Sequence, residues 1–204
     1  MIRIIENNNR REFAKSLEQQ FRLRHDVFVN ELRWRDSDDR QVEIDQYDDE
    51  HATYITSVDS HDDVVGCFRL YPTTRPYMLS ETFRTLVDGP MPQSLEVFEV
   101  TRFAIAKDHR RGRTYQELFL GMIEHSLSRG IVGNVAVMRT MKIPVQLELG
   151  ISVRPLGLSQ PIGDENNTAV YWAMSEEVLD RVRRIAGVVG TVLENADSAL
   201  HRVA

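Results

Sequence analysis

The stretch from Leu95 to Gly130, LEVFEVTRFAIAKDHRRGRTYQELFLGMIEHSLSRG, contains the clearest structural pattern in the chain. Its first third alternates apolar and polar residues, which predicts a β-strand from Leu95 to Ala106. A basic turn follows, and the apolar spacing after Tyr115 predicts an amphipathic helix. A strand that leads through a turn into a helix indicates a protein that combines helices with a sheet.

The rest of the chain adds helices and strands around this unit. An apolar stripe predicts one face of an N-terminal helix, and Arg24 falls on that same face. The stripe consists of Phe13, Leu17, Phe21, Phe28 and Leu32. Further strands are predicted at 52–58, 64–70, 131–138, 151–153 and 169–174, and Ser175 is a predicted N-cap of a last helix. We predict a single α/β domain over 1–204, built as a three-layer mixed β-sheet flanked by helices.

Composition and charge exclude several classes of function. The 204 residues carry a formal net charge of −6, so the basic field of a nucleic-acid-binding protein is absent. No run approaches the ~20 apolar residues that cross a bilayer, and the first residues do not resemble a secretory signal. Cys67 is the only cysteine, which excludes an internal disulfide and fits a reducing compartment. We expect a cytoplasmic protein without membrane or nucleic-acid partners.

The basic turn between the predicted strand and helix is a candidate phosphate site. It contains Arg110, Arg111, Gly112 and Arg113. A helix N-terminus presents unpaired N–H groups and a partial positive charge to an anion, and glycine allows close backbone approach. The turn resembles the pyrophosphate-binding turn of GNAT-type acyltransferases, although that family usually has two glycines here. A solvated basic surface is the alternative interpretation.

Six charged residues lie within or beside apolar segments. Isolated buried charges are costly, so these residues must pair if the fold brings them together. A converged set of carboxylates and guanidiniums would suit an amino-acid-like substrate, and ordinary structural ion pairs are the alternative. Glu99 and Arg102 point to opposite faces of their strand unless a bulge shifts the alternation. The six residues are Arg24, Asp45, Asp48, Arg69, Glu99 and Arg102.

Four motifs resemble those of acyl-homoserine lactone synthases, in that family's order and spacing. The resemblance covers about residues 1–175 and implies a GNAT-like fold. The motifs are FRLRHDVF at 21–28 followed by Trp34, EIDQYD at 43–48, RLYPT at 69–73 and EVTRF at 99–103.

The resemblance implies an enzyme that acylates the amine of S-adenosylmethionine and then closes a lactone, with release of methylthioadenosine. Both substrates are consumed, and no cofactor or metal is expected. The positions that match the family's S-adenosylmethionine site are Arg24, Phe28, Trp34, Asp45 and Asp48. The expected catalytic residues are Glu99, Arg69 and Arg102, with Glu99 as general base. Asp45 and Asp48 are expected to bind the ammonium group, and the three arginines to hold the carboxylate and neutralise the acids.

The acyl half of the reaction is assigned to the region from Phe103 onward. Phe103, Arg110, Arg111, Gly112 and Arg113 are expected at the phosphopantetheine of the donor. The donor is acyl-CoA or acyl carrier protein, and the segment 41–48 is similar to synthases that use acyl-CoA. Val137, Met138 and Met141 are expected to line the acyl pocket. Relatives that prefer 3-oxo chains often have a threonine on this strand, whereas 135–138 offers no hydroxyl, so we predict an unsubstituted chain.

Two other functions stay open at this point. A GNAT-type N-acetyltransferase that uses acetyl-CoA would have no need of arginines at positions 24, 69 and 102. A non-catalytic binding domain would not require the complete set of charged positions. Phe28 and Trp34 could equally be plain core aromatics, although the place of Trp34 after the helix favours a lid over the substrate.

Overall fold

The computed structural model of the protein describes residues 1–34 and 40–194. The strands are β1 (Ile2–Ile5), β2 (Thr53–Val58), β3 (Val64–Pro72), β4 (Val97–Ile105), β5 (Gly133–Arg139), β6 (Val153–Pro155), β7 (Gln160–Ile162) and β8 (Glu165–Ala173). The helices are α1 (Ala14–Arg24), a π-helix (His25–Glu31), α2 (Met78–Glu81), α3 (Thr114–Ser128), α4 (Ile143–Glu148) and α5 (Glu176–Ala186). Single 3₁₀ turns cover Arg84–Leu86, Lys107–His109 and Thr140–Lys142.

The strands form one mixed sheet of eight strands. Their order is β1-β2-β3-β4-β5-β8-β6, and β7 also pairs with β8. β1 and β2 are antiparallel, β4 and β5 are parallel, and β8 is antiparallel to β5, β6 and β7. A mixed sheet with flanking helices confirms the predicted α/β class.

The chain divides into two compact units, and the first contains 1–69, 102–122 and the described residues from 190 onward. In this unit α1 and the π-helix pack on Cys67 of β3 and Ala104 of β4, through Leu23, Val27 and Phe28. The preceding residue of β3, Gly66, faces α3. A Cβ atom there would lie 2.8 Å from Thr114 Cγ2 and 2.9 Å from Leu118 Cδ1. Glycine therefore allows α3 to approach the sheet, and helices cover both of its faces.

The second unit contains 70–101 and 123–189, and it too has helices on both faces of its strands. Asn134 of β5 and its partner Trp172 of β8 share one face. Asn134 Nδ2 donates to Ser126 Oγ of α3 at 3.1 Å, and Trp172 Nε1 donates to Gln146 Oε1 of α4 at 2.8 Å. Glu99 lies on the other face, where it accepts hydrogen bonds from backbone N–H groups of α2.

Most of the predicted elements are confirmed. The strands expected at 52–58, 64–70, 95–106 and 131–138 correspond to β2, β3, β4 and β5. The side chain of Ser175 accepts the Val178 N–H at 3.2 Å, which confirms the N-cap of α5. β1, β7 and α2 were not predicted, because elements of three or four residues are too short to show a hydrophobic period.

The N-terminal helix differs from its prediction in the face that it buries. α1 is followed directly by the π-helix, and the buried residues of α1 are Ser16, Gln20, Leu23 and Arg24. The residues of the predicted stripe within and before α1 are only partly buried. Phe28, the stripe residue within the π-helix, is buried, so the difference lies in α1, where Ser16 and Gln20 are buried instead of the apolar residues that follow them. The buried face is also partly polar because it carries Arg24.

Two broader expectations concern the whole chain. Within residues 1–34 and 40–194, no helix is long and apolar enough to span a bilayer. The single domain over 1–204 and the cytoplasmic location stay predictions.

His125 of α3 predicts a pH dependence of stability. Burial, and then the charge of Arg129, lower the pKa of His125 to about 4. Because an unfolded histidine has a pKa of about 6.5, this neutral imidazole stabilises the fold fully above that pH, and the contribution is lost as pH falls toward 4. We expect the free energy of unfolding to fall by up to about 3 kcal/mol over this window in the wild type. His125→Gln should lose that part of the slope in urea unfolding series.

The control is His61→Gln, which removes a histidine whose side chain is 82% exposed. This variant should keep the wild-type slope. An unchanged slope in His125→Gln would contradict the assignment.

Candidate active site

The buried centre of the first unit is an ion-pair network that starts from Arg24 and Asp48. Arg24 ends α1, and Asp48 lies in the loop before β2. Arg24 Nη1 and Nη2 donate to Asp48 Oδ1 and Oδ2, each at 2.8 Å. Neither side chain is exposed. The Tyr54 hydroxyl adds a further donor 3.0 Å from Asp48 Oδ1. Arg24 thus meets a buried anion, and it does not extend to solvent.

Arg69 and Asp45 form the second pair of the network. Arg69 of β3 donates from Nη1 and Nη2 to the two carboxylate oxygens of Asp45, at 2.6 and 3.1 Å. Its Nη1 also lies 2.8 Å from Asp48 Oδ1. The backbone N–H of Asp45 donates to Asp48 Oδ2 at 2.8 Å. The acidic loop is therefore held by its charges and not by a helix or strand.

Glu43, a residue with no role predicted from the sequence, completes the network. Arg24 Nε donates to Glu43 Oε2 at 2.7 Å, and Arg102 Nε lies 3.1 Å from both Glu43 oxygens. Arg102 Nη2 also lies 2.6 Å from Asp45 Oδ2. Three guanidiniums and three carboxylates thus neutralise one another. The signal that could have identified Glu43 is its position in the same acidic motif, two residues before Asp45.

Arg102 joins the network in an unusual backbone conformation. Its φ is +57°, in the left-handed region that residues other than glycine seldom adopt. Such a residue breaks the two-residue alternation of a strand, as a bulge does. Strand alternation places Arg102 opposite Glu99 unless a bulge intervenes, and the break in the alternation occurs at Arg102 itself. Strained backbone of this kind is concentrated at functional positions.

The network stabilises the charged form of its own members. Burial alone would raise the pKa of Asp48, but the hydrogen bonds and charges of Arg24 and Arg69 outweigh burial and lower that pKa. The pKa of Asp45 is likewise lowered against burial, by Arg69 and Arg102. Burial opposes the charge of Arg24, yet Asp48 and Glu43 raise its pKa. The arrangement therefore suits electrostatic positioning better than proton transfer.

An aromatic pair continues the network toward the surface. Exposure of the side chains rises from 0% for Arg24 to 9% for Arg102. The Arg102 guanidinium lies 5.6 Å from the ring centroid of Phe28, and Phe28 stacks with Trp34 at 5.0 Å. Phe28 also belongs to the core, whereas Trp34 is 60% exposed. The structure thus brings together the predicted positions 24, 28, 34, 45, 48, 69 and 102.

Glu99 is a buried carboxylate of the second unit. Its Oε2 accepts the Met78 N–H at 3.0 Å and its Oε1 accepts the Leu79 N–H at 2.6 Å. These are the first residues of α2, so the carboxylate anchors the start of that helix. Hydrogen bonds from backbone N–H groups stabilise the charged form of a carboxylate. Burial, and then the charge of Glu99, raise the pKa of Tyr77 to about 12.

The basic turn lies exposed between the 3₁₀ turn Lys107–His109 and α3. Arg110 Nε donates to the carbonyl oxygen of Ile105 at 2.9 Å, and its Nη atoms bind Glu31. Phe103 is the other residue predicted to contact the acyl donor. Its ring packs in an aromatic group with Phe68, Tyr115 and Phe119. The three arginines and Gly112 thus lie directly before the start of α3, as the sequence predicts.

The three predicted acyl-pocket residues do not share one surface. Val137 and Met138 are consecutive in β5, so they project to opposite faces. Val137 shares the face of Glu99, and Met138 shares the face of Asn134. Met141 is 69% exposed and lines a surface hollow of about 480 Å³ beside Arg139 and Asn166. One pocket can therefore be lined by Val137 or by Met138, but not by both.

One surface group has side chains of the types that bind metals. Ligand atoms of Asp49, Glu50 and His51 lie within 4.8 Å of one another. Asp49 Oδ1 accepts the His51 N–H at 2.8 Å, so a local turn accounts for the geometry. Across 1–34 and 40–194, no other group of three such side chains lies this close. The expectation of no metal and no cofactor stays a prediction.

Two similarities establish the family. The family model described as autoinducer synthase matches residues 7–182. The isovaleryl-homoserine lactone synthase of Bradyrhizobium diazoefficiens is 36% identical over 200 residues, covering 96% of this chain and 90% of its own. The chain belongs to the autoinducer synthase family. It is an acyl-homoserine-lactone synthase and hence an acyltransferase.

Solved structures agree with this assignment. MesI, a CoA-dependent acyl-homoserine lactone synthase, matches with a TM-score of 0.89 at 31% identity, over 96% of this chain and 100% of that chain. BjaI, a CoA-dependent synthase solved with SAM and isopentyl-CoA, matches with a TM-score of 0.88 at 33% identity, over 98% and 97%. These matches confirm the family resemblance.

The N-acetyltransferase alternative shares only the fold with this synthase. A structure from Lactobacillus plantarum described as an N-acetyltransferase matches with a TM-score of 0.60 at 16% identity. An identity that low supports no shared activity. The match confirms the GNAT-like architecture, and the family assignment replaces the alternative.

The network predicts that loss of an inner arginine strongly destabilises the synthase. Arg24→Met leaves Glu43 and Asp48 buried with one cation fewer, and breaking a buried pair costs about 3–5 kcal/mol. Urea unfolding of the variant and the wild type measures the loss.

The matched control is Arg22→Met on the same helix, since Arg22 forms an exposed pair with Glu18. It should change stability by less than about 1 kcal/mol. Equally small losses in both variants would show that the network does not support the fold.

Proposed function

We propose that this synthase takes its homoserine half from S-adenosylmethionine and its acyl half from an acyl-CoA. The observation that carries the proposal is the match over 98% of the chain to BjaI, which was solved with both types of ligand. MesI, matched over 96% of the chain, is also CoA-dependent. The segment 41–48 favours the same donor. Acyl carrier protein is the alternative that the assay below distinguishes.

The proposed reaction forms two bonds. The neutral amine of S-adenosylmethionine attacks the thioester carbonyl, the C–S bond breaks, and CoA leaves as its thiol. The carboxylate oxygen then attacks the γ-carbon, the bond to the sulfonium breaks, and methylthioadenosine leaves. Because the sulfonium is already a good leaving group, the protein has mainly to orient the carboxylate in line with it.

We assign the outer end of the network to contact with S-adenosylmethionine and the inner end to positioning. Arg102 is the most exposed member, and its guanidinium suits the substrate carboxylate. Asp45, which binds Arg102, is the candidate for the ammonium group. The side chain of Asp48 has no exposed surface and lies against Arg24 and Arg69, so we assign it to positioning.

The other predicted residues are likewise assigned either to positioning or to contact with a substrate. Arg24 and Arg69 hold the acidic loop in place, since both are buried and paired. Phe28 and Trp34 offer a stacked aromatic surface, and such faces attract a cation like the sulfonium. The basic turn and Phe103 receive the phosphopantetheine of the donor. No hydroxyl is present at 135–138, and a relative makes the isovaleryl product, so a short unsubstituted or branched acyl chain is proposed.

The decisive assay combines the synthase with S-adenosylmethionine and a panel of acyl-CoA and acyl-carrier-protein thioesters, isovaleryl-CoA included. We expect an N-acyl-homoserine lactone and equimolar methylthioadenosine by mass spectrometry, with the CoA thioesters as better substrates. Turnover with carrier-protein thioesters alone would overturn the donor assignment. Thiol release without methylthioadenosine would overturn the use of S-adenosylmethionine.

Glu99 is proposed as the proton acceptor for the amine, directly or through a water. Glu99→Gln keeps the size of the side chain and removes the base, and general base catalysis contributes about 100- to 10,000-fold. We therefore expect kcat to fall within that range, with a changed pH profile and little change in the KM of S-adenosylmethionine.

Glu96→Gln is the control, because Glu96 is exposed just before the same strand. Its kcat and pH profile should match the wild type. Since Glu99 also anchors α2, the melting temperature of each variant is measured in parallel. An unshifted pH profile, with a loss that follows melting temperature, would mean that Glu99 is a positioning residue.

A further inference from the structure

One arginine of the basic turn is already bound to a carboxylate of the same chain. Arg110 and Glu31 form a bidentate pair, with Nη1 2.8 Å from Oε2 and Nη2 2.9 Å from Oε1. Glu31 is the last residue of the π-helix, so the two residues are far apart in sequence. The third nitrogen of the guanidinium, Nε, donates to the carbonyl oxygen of Ile105 at 2.9 Å.

These contacts occupy the positions from which an arginine grips a phosphate. A guanidinium binds an oxyanion in a bidentate manner through two neighbouring N–H groups, either across Nη1 and Nη2 or across Nε and one Nη. Glu31 holds the first of these forks, and the Ile105 carbonyl holds the Nε of the second. A phosphate can therefore engage Arg110 in a bidentate manner only if one partner moves away.

Glu31 is the partner that can move. Its side chain and that of Arg110 are each 39% exposed, so the carboxylate can rotate into water at little cost. The Ile105 carbonyl is fixed at the end of β4. The diphosphate of CoA carries one negative charge on each phosphate, so two neighbouring charges compete with one carboxylate for the same guanidinium.

We propose that Glu31 is an internal competitor that occupies Arg110 in the free synthase and is displaced by the phosphates of acyl-CoA. The inference rests on the proposed acyl-CoA donor and adds Glu31 as a residue that sets donor affinity. Glu31 belongs to the helix that carries Phe28. Displacement by the donor therefore releases a tether between the basic turn and the helix assigned to S-adenosylmethionine.

The test is a double-mutant cycle of CoA binding, measured by isothermal titration calorimetry on the full chain. Glu31→Gln should lower the Kd of CoA by about two- to fivefold, the range that an exposed ion pair allows. Arg110→Ala should weaken binding. In the Arg110→Ala background, Glu31→Gln should have no effect, because the competition needs the guanidinium.

Glu18→Gln is the control, since it removes a carboxylate from a similarly exposed ion pair on α1. The Kd of this variant should equal that of the wild type. Weaker CoA binding by Glu31→Gln would overturn the proposal and make Glu31 a residue that orients Arg110. Tighter binding that persists in the Arg110→Ala background would overturn it as a general charge effect. A wild type that does not bind CoA, yet turns over carrier-protein thioesters, would show that the donor assignment itself had failed.

Discussion

A completely buried guanidinium requires carboxylates around it, and this requirement organises the first unit. Arg24 ends α1 inside the layer that packs on β3 and β4, so its charge cannot be hydrated. Asp48 and Glu43 neutralise it, and they in turn bind Arg69 and Arg102. Removing any one member leaves an unmatched buried charge. The acidic loop is thereby fixed without regular secondary structure, and Arg102 is held in its left-handed conformation.

Because the charged groups of such a network are already in place, they can orient a substrate without reorganising. Its charges cancel, its donors and acceptors are paired, and only its outer end approaches the surface. A reaction with a good leaving group already in the substrate needs orientation more than it needs strong acid–base chemistry. The division between buried members that hold the geometry and an outer arginine with two aromatic rings fits that need.

The second unit contributes a carboxylate of another kind. Glu99 accepts hydrogen bonds from two backbone N–H groups at the start of a short helix, and these bonds stabilise its charge. The same face of the sheet carries Val135 and Val137. The Glu99 side chain both anchors the start of α2 and presents a charge. Its chemical and structural effects therefore need separate measurement.

The main strands, the α/β class, the N-cap at Ser175 and the family could be predicted from the sequence, because local periodicity and short motifs carry that information. The sequence also identified five of the six members of the ion-pair network, all except Glu43. The partners of these charges could be identified only in three dimensions, where Glu43 lies between Arg24 and Arg102 and Glu31 binds Arg110. The tertiary structure also decided the π-helix, the φ of Arg102 and the opposite faces of Val137 and Met138. These features depend on contacts between distant segments and on single backbone angles, and no local period in the sequence encodes either.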